Sequence, residues 1–589
     1  MLNWAGRCIY RMRWTTCCLV LLFVILAVSY GSGVFNALQT EGTTDPTSES
    51  AQAQALLNSQ LHTGSSDVVL LMSSTTWMAT DPAFQAAANQ VLQRLATRPE
   101  VTMVTSYYST QNAQLLSRDN HATIVLLQLS GDPVKQAQQY KAIAPLLTSP
   151  VLHIIAGGPA VASVEFNDQI GVDLAHAETI ALPITAFLLI LIFDGLVAAF
   201  LPLLVGTIAI IGSFAFLRVL ANFTDISNFA INVVTFVGLG LAIDYSLFIV
   251  TRFREELLPD NSDVQGALQR TMTSAGRTVL FSGLTVCTSL LSLLLFPEVI
   301  LRSMGLASIC ATLMALIAAM TILPALLAVL GRHINALSLR RLFIWRRSRG
   351  IPAQEGYGFW YWLSQSVMKH PVPILLATIV VLLSLASPFL HASFSMTDGR
   401  SLPQGTSASL LLNDLDKEFP TRSQATITVA IRTQGDAFAP ENLAKLNDYI
   451  QQVNAIPGVA SIQSLVTLQP GLTLTDYQQL YATRSTNPRV AAAARLLANG
   501  DATKVMISAN GAEFSATAED IVRRVRALPA QSGFTPLVGG DTAQQMDLLA
   551  SINATIPRAL LVMAGMIFVL LFLMTGSIIL PVKAIVLNA

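Results

Sequence analysis

The segment Val-Gly-Leu-Gly-Leu-Ala-Ile-Asp-Tyr-Ser-Leu-Phe-Ile-Val, residues 237–250, lies within an apolar run that extends from Phe229 to Val250. About twenty apolar residues are enough for a helix to span a bilayer, so this run predicts a transmembrane helix. One carboxylate, Asp244, interrupts it. A charge near mid-membrane costs about 2.5–3.5 kcal/mol on insertion scales, so such a residue is functional by default and is expected to face a helix-bundle interior or a wet cavity.

Two glycines precede the acidic residue on the same helix. Gly240 lies one turn before Asp244, and Gly238 lies two turns before Tyr245. Both glycines allow another helix to approach closely, which predicts helix packing beside the acid. A simpler interpretation is that Asp244 is a protonated, hydrogen-bonded carboxyl that only locks two helices together.

The motif that contains Asp244 is long and specific. Residues 238–257, Gly-Leu-Gly-Leu-Ala-Ile-Asp-Tyr-Ser-Leu-Phe-Ile-Val-Thr-Arg-Phe-Arg-Glu-Glu-Leu, closely resemble the fourth-helix signature of the MmpL branch of the resistance–nodulation–division (RND) transporters. In that family the Asp-Tyr pair of the fourth helix belongs to the proton relay. The resemblance therefore implies that Asp244 and Tyr245 are relay residues, and that a proton gradient rather than a bound cofactor drives the protein.

The composition is that of a membrane protein. Of the 589 residues, 52% are hydrophobic and 12% are charged, which is too apolar for an ordinary soluble protein. The formal net charge is zero and no nucleic-acid motif is present, so no nucleic-acid partner is expected. The five cysteines lie in or beside apolar blocks without zinc spacing. Because no metal-ligand spacing, nucleophile elbow or phosphate loop is recognisable either, we expect neither a metal site nor an enzyme.

Apolar blocks and polar lobes alternate along the chain. Arginines before the first block predict a cytoplasmic N-terminus. A cleaved signal peptide is the alternative; an uncleaved helix is favoured because a similar unit recurs mid-chain. The predicted segments are a tail with the first transmembrane helix (1–34), a first extracytoplasmic lobe (35–176), helices two to six, which resemble a sterol-sensing core (177–331), a basic cytoplasmic linker (332–371), helix seven (372–391), a second extracytoplasmic lobe (392–555), and helix eight with the start of a ninth (556–589).

The two polar lobes repeat one another. Each shows the order strand, helix, strand twice, which is the split β-α-β pattern of ferredoxin-like folds. The segment Ile-Ala-Gly-Gly-Pro at 155–159 also resembles Leu-Val-Gly-Gly-Asp at 537–541. Both halves begin with a helix that enters from a basic flank. The sequence therefore predicts an α-helical membrane protein with two extracytoplasmic α+β lobes and a parallel internal repeat.

The resemblance also gives an expectation about the second half. RND transporters have twelve helices, and the tenth carries a second acidic-aromatic element near the first. Here the sequence reaches only the start of a ninth helix. We therefore expect the second half of the repeat to be incomplete, the chain to be truncated at its C-terminus relative to the family, and the intramembrane partner of Asp244 to be missing from it.

Further polar residues lie within the apolar blocks. Asp194 is expected in a tight cytoplasmic turn between helices two and three, where an interfacial role outweighs a relay role. In the fifth helix, a spacing of three, four and three places four hydroxyls on one face. This stripe either bonds neighbouring backbones and helices or forms a hydrated wall beside Asp244, and the sequence favours neither. Its members are Ser282, Thr285, Ser289 and Ser292.

These features and the resemblance predict a proton-motive-force-driven exporter of lipids or other hydrophobic small molecules in the plasma membrane. Its expected partners are membrane lipids, a lipidic substrate, and further copies of the chain or accessory proteins. A lipid- or sterol-sensing regulator shares the five-helix core and would bind lipid without proton flux. An accessory membrane protein, or a fragment that does not transport, would insert normally and would be unaffected by replacement of Asp244.

Overall fold

The structure is a computed structural model of the chain. Asp194 and most of the basic linker lie outside the residues that it describes. The described residues are 2–36, 38, 45–61, 66–111, 115–131, 133–193, 195–257, 263–336, 359–391, 402–419, 424–469, 471–482, 494, 497–529 and 531–588.

Eight helices in these ranges are long and apolar enough to cross a membrane, as the sequence predicts. A shorter helix, Ile579–Asn588, follows the last of them. Two other short helices, Leu2–Arg11 and Phe359–Lys369, precede the first and the seventh. The eight long helices are α1 (Arg13–Phe35), α2 (Pro159–Phe193), α3 (Leu196–Leu220), α4 (Phe229–Leu257), α5 (Val264–Leu295), α6 (Val299–Ile334), α7 (Pro371–Phe389) and α8 (Asp541–Thr575).

The helix that carries the acid is central to the membrane part. It packs against α3 and α6, α1 packs on α3, and α8 packs on α5. Small side chains such as Ala209, Ala242 and Ala315 are fully buried at these contacts. The hydrophobic effect does not draw helices together in lipid, so close van der Waals packing between small residues holds the helices together. The apolar window of α7 is not buried by other described residues.

Three membrane helices are longer than the sequence predicts. α2 and α8 each contain 35 residues and run without a break from the end of a lobe into the apolar part. The polar segment 264–276, which precedes the apolar part of α5, is also helical. It begins at Val264, where the Asp263 carboxylate accepts a hydrogen bond from the N–H of Gly266 at 2.7 Å, which is an N-terminal cap. The domain boundaries expected at 176 and 555 therefore fall inside continuous helices.

Each lobe is built on one antiparallel sheet. The strand order is β2-β3-β1-β4 in the first lobe and β6-β8-β5-β9 in the second, where β7 also pairs with β8. The third long strand of each lobe thus lies between the two strands of the first β-α-β unit, which confirms the split β-α-β fold class. The strands are β1 (Val68–Ser73), β2 (Val101–Thr105), β3 (Ala122–Leu129), β4 (His153–Gly157), β5 (Thr426–Thr433), β6 (Val459–Gln463), β7 (Ala498–Asn499), β8 (Ala502–Ala509) and β9 (Phe534–Gly539).

One face of each sheet is covered by the helices of its own lobe. Their apolar side chains, among them Phe84 and Val91 in the first lobe and Leu446 and Val522 in the second, form the lobe cores with the strands. These residues recur at helical spacing, so one stripe of each helix is buried. The lobe helices are Pro82–Ala96, Tyr107–Thr110, Pro133–Ile143, Pro440–Asn454, Leu474–Ala482 and Ala516–Arg526.

The other face of each sheet is covered by a helix from the opposite half, which the sequence did not predict. The first crossing helix, Glu49–Leu56, precedes the strands of the first lobe in the sequence but packs on β5 and β9 of the second. The second crossing helix, Ser407–Glu418, precedes the strands of the second lobe but packs on β4 of the first. Leu411 and Phe419, at the second crossing helix, are buried with residues of the first sheet such as Ile155.

The two glycines that end each lobe are needed for different structural reasons. Gly158 and Gly540 adopt φ angles of 99° and 95°, in the left-handed region that favours glycine, as the chain turns into α2 and α8. Gly157 and Gly539 make room for the crossing helices. A Cβ on Gly157 would overlap the side chain of Leu411, and a Cβ on Gly539 would lie 3.0 Å from the first crossing helix.

We expect Gly157→Val to destabilise the contact between the first lobe and the second crossing helix. Three atoms of Leu411 stand in the space that the new side chain needs, and overpacking of this kind costs about 1–3 kcal/mol. Thermal unfolding of the purified protein should begin at a lower temperature. Gly171→Val, on α2 with no atom within 4 Å of its Cβ position, is the control; equal thermal stability of the two variants would contradict this packing.

Candidate functional site

Asp244 lies on a face of α4 that no other described helix covers. Gly240 and Asp244 are exposed, and Phe236 and Phe248 on the same face are 57% and 51% exposed. The four residues recur every fourth position and so form one stripe along the helix. No described residue forms a hydrogen bond or ion pair with the Asp244 carboxylate. The bundle interior expected around this acid is therefore not formed on this side by the described residues.

Tyr245 points in another direction, because successive side chains on a helix are about 100° apart. It is 5% exposed and packs towards α5. Its hydroxyl oxygen lies 3.3 Å from the position that a Cβ on Gly283 would take. Ser282 and Cys287 are close enough to influence the hydroxyl electrostatically, yet no described atom completes a well-formed hydrogen bond to it.

The two glycines of the motif lie in different surroundings. Gly238 is buried, and a Cβ there would lie 3.6 Å from Ala311 of α6 and 3.6 Å from Ile210 of α3, so it is part of ordinary helix packing. Gly240 has no atom within 4 Å of its Cβ position. The close helix approach expected at Gly240 is therefore not made by any described residue, and this glycine leaves the face beside Asp244 open.

The hydroxyl stripe on α5 bonds its own helix. Thr285 donates to the carbonyl of Phe281 at 2.8 Å, and Ser289 donates to that of Thr285 at 2.8 Å. Ser292 donates to the carbonyl of Ser289 at 2.7 Å. This back-bonding satisfies the donors locally, so these three do not donate to another helix. Ser282 is the exposed member of the stripe and the one beside Tyr245.

Arginine residues fix the other end of α4. Arg254 donates a hydrogen bond at 2.6 Å to the carbonyl of Phe193, the last residue of α2, where the helix dipole favours a cation. Arg252 pairs with Glu256, which also pairs with Arg270 of α5 at 2.7 Å. The charged end of the motif therefore holds α2, α4 and α5 together below the acid.

Two site residues were not singled out by sequence reasoning. Ser246 follows the Asp-Tyr pair, is fully buried, and has a hydroxyl without a hydrogen-bond partner in the described structure. Gly283 provides the space in which the Tyr245 ring lies against α5. The sequence signal for Ser246 was its place directly after the Asp-Tyr pair, whereas Gly283 carried none.

Comparisons with known proteins agree with this architecture. The chain is 30% identical to the trehalose monomycolate exporter MmpL3 of Mycobacterium tuberculosis; the match covers 100% of this chain and 63% of that protein. It is 29% identical to the mycolic acid-containing lipids exporter MmpL11 of Mycolicibacterium smegmatis, over 71% of this chain and 40% of that protein. The chain thus spans less than two thirds of the length of either relative.

A solved structure supports the fold over nearly the whole chain. The cryo-EM structure of the hedgehog release protein Disp from the water bear Hypsibius dujardini matches with a TM-score of 0.55 and 12% sequence identity, over 98% of this chain and 83% of that one. At this identity the likeness concerns the fold alone.

The profile of the MMPL family matches residues 43–374 and 400–587. The chain is therefore a multi-pass membrane protein that belongs to the MMPL family of the RND superfamily.

Proposed function

We propose that the protein is a proton-motive-force-driven exporter of lipids or other hydrophobic small molecules. The observation that carries the proposal is the Asp244 carboxyl, which lies on a face of the central, apolar helix α4 that no other described helix covers. The names of the two MmpL relatives, both lipid-related exporters, support the substrate class. Proton coupling rests on Asp244 and on the resemblance of its motif.

Protonation of Asp244 changes which surroundings α4 prefers. The charged carboxylate costs about 2.5–3.5 kcal/mol at mid-membrane, whereas the neutral acid does not carry that cost. A proton that moves inward through 100 mV releases about 2.3 kcal/mol. Because the two energies are similar, one proton is enough to shift α4 between a hydrated and a dry arrangement. Asp244 would bind the proton in one arrangement and release it in the other.

Tyr245 would act between α4 and α5. Its buried hydroxyl faces Gly283 and lies near Ser282, so it would relay a proton released by Asp244 towards Ser282, the exposed member of the stripe. Thr285, Ser289 and Ser292 would take little part, since their protons are already donated to backbone carbonyls. This arrangement favours a narrow path at Ser282 over a hydrated wall along all of α5.

The test is lipid movement in liposomes that contain the purified protein and a fluorescent phospholipid. A pH gradient, acidic on the side of the lobes, should drive the labelled lipid between leaflets, and a protonophore should stop it. A lipid-sensing regulator would bind the labelled lipid without gradient-dependent movement. Lipid movement that continues unchanged after the gradient is collapsed would overturn the proposal.

The orientation proposed is lobes outside the cytoplasm in the plasma membrane and arginine-rich helix ends inside, by the positive-inside rule. In a background without the five native cysteines, we expect Gln90→Cys, exposed on the first lobe, to react with an impermeant thiol reagent in intact cells. Thr273→Cys, exposed at the start of α5, should react only after the membrane is permeabilised. Labelling of Thr273→Cys in intact cells would reverse the orientation.

A further inference from the structure

The helix that leads from the first lobe into the membrane caps the second crossing helix. Glu165 of α2 accepts hydrogen bonds from the backbone N–H groups of Ser407 at 2.8 Å and Ala408 at 2.9 Å. Thr406, at the N-cap position of that helix, makes no side-chain cap. The first N–H groups of a helix lack partners within it, and a negative charge is favoured there. Glu165 therefore supplies from the opposite half the cap that this helix lacks.

The second lobe has an acid at the corresponding place, although the first crossing helix also has a side-chain cap of its own from Ser48. Asp547 of α8 accepts a hydrogen bond at 3.0 Å from the N–H of Ser50, in the first turn of the first crossing helix. Arg526 donates to both oxygens of Asp547, at 2.7 and 2.9 Å, and pairs with Glu49 at 3.0 Å. The other oxygen of Glu49 accepts from the N–H of Val538, at the end of the second lobe, at 2.7 Å.

The two acids occupy equivalent positions of the internal repeat. Glu165 lies seven residues after Gly158, and Asp547 lies seven residues after Gly540. Seven residues are about two helical turns, so both carboxyls project from the same place on their helices. Each bonds N–H groups in the first turn of the crossing helix that comes from the opposite half. The residue types differ, and the match is therefore one of position and contact rather than of sequence identity.

We propose that Glu165 and Asp547 are positioning residues that couple the membrane helices of one half to the crossing helix supplied by the other half during transport. This proposal rests on the function proposed above. α2 is a continuous helix from Pro159 to Phe193, so a tilt of its membrane part moves Glu165 at its lobe end. The bonds to Ser407 and Ala408 transmit that movement to the second crossing helix, on which the first sheet rests. α8 does the same through Asp547.

The contact between Glu165 and the second crossing helix is the better one to test, because Glu165 bonds only backbone groups among the described residues. Replacement of Asp547 would leave Arg526 without its bidentate partner and so combine two effects. We therefore compare Glu165→Ala, which removes both hydrogen bonds, with Glu165→Gln, which keeps the shape and one acceptor oxygen. Asp173→Asn is the matched control: Asp173 is an exposed acid on the same helix whose only described bond is to Gln169, one turn away.

The first measurement is backbone amide exchange over 407–418 in the full chain. We expect exchange at the start of the second crossing helix to rise at least tenfold in Glu165→Ala, to rise less in Glu165→Gln, and to stay unchanged in Asp173→Asn, because exchange reports local opening. The second is the amount of lipid moved per proton taken up in liposomes, which should fall several-fold in Glu165→Ala while proton uptake continues. A static cap would change the exchange but not this ratio, and that result would overturn the proposal.

The experiments distinguish failure of the exporter proposal from failure of the proposed coupling through Glu165. If the unmodified protein moves no lipid, the exporter proposal fails, and the exchange data still decide the coupling. Asp244→Asn fixes the relay acid in a neutral form, and it should alter exchange over 407–418 only when Glu165 is present. Equal effects of Asp244→Asn with and without Glu165 would show independent sites and would overturn the coupling.

Discussion

Asp244→Asn is expected to reduce gradient-driven lipid movement to the level seen with a protonophore. The amide nearly preserves the shape of the carboxyl but cannot bind and release a proton, so α4 keeps one preference through the whole cycle. Because no described residue bonds the Asp244 carboxylate, the substitution should not weaken the fold. The measurements are labelled-lipid movement in liposomes at matched protein content, and the thermal unfolding temperature of the purified variant, which should be unchanged.

Glu255→Gln is the control for this loss. Glu255 lies at the charged end of the same helix, where its carboxylate is exposed and pairs with Arg252 at 3.0 Å. Exposed pairs of this kind contribute little to stability, so Glu255→Gln should transport normally. If Asp244→Asn retained half or more of the gradient-dependent movement, the relay assignment would be wrong and Asp244 would be no more than a polar residue on an open helix face.

The parts of the fold that the sequence predicts are those that local spacing determines. The run around Asp244 is a helix because its residues are apolar over the thickness of a bilayer. Strands such as β3 and β8 are recognisable because short apolar segments alternate with helical ones. The back-bonding of Thr285 and Ser289 could also have been foreseen, since a hydroxyl in a helix can always reach the carbonyl one turn before it.

What the sequence did not predict depends on contacts between distant residues. The first crossing helix, Glu49–Leu56, has only a weakly amphipathic sequence, and its burial depends on a sheet that lies more than 370 positions later. Glu165 meets Ser407 across 242 positions, and Arg254 meets Phe193 across 61. No periodicity within one segment encodes such pairings, although the glycine pair that ends each lobe marks the places where the crossing helices approach.

The second large effect is expected at Gly283, where α5 comes closest to the Asp-Tyr pair. A Cβ on Gly283 would lie 3.1 Å from both terminal carbons of Leu316 and 3.3 Å from the Tyr245 oxygen. Gly283→Val must therefore displace α6 or the Tyr245 ring, and we expect a loss of about 1–3 kcal/mol in stability with near-complete loss of transport. Gly565→Val, on α8 with no atom within 4 Å of its Cβ position, should affect neither.

A second substitution separates the two consequences of Gly283→Val. Leu316→Ala removes the side chain that crowds the new valine, so the double variant should regain most of the thermal stability that Gly283→Val loses. It does not restore the space of the Tyr245 ring, because the valine still stands beside the hydroxyl. We therefore expect the double variant to be stable and to transport poorly, as Tyr245→Phe should. Recovery of transport together with stability would mean that Gly283 serves helix packing alone, and that the position of the Tyr245 hydroxyl against α5 is not part of the proton path.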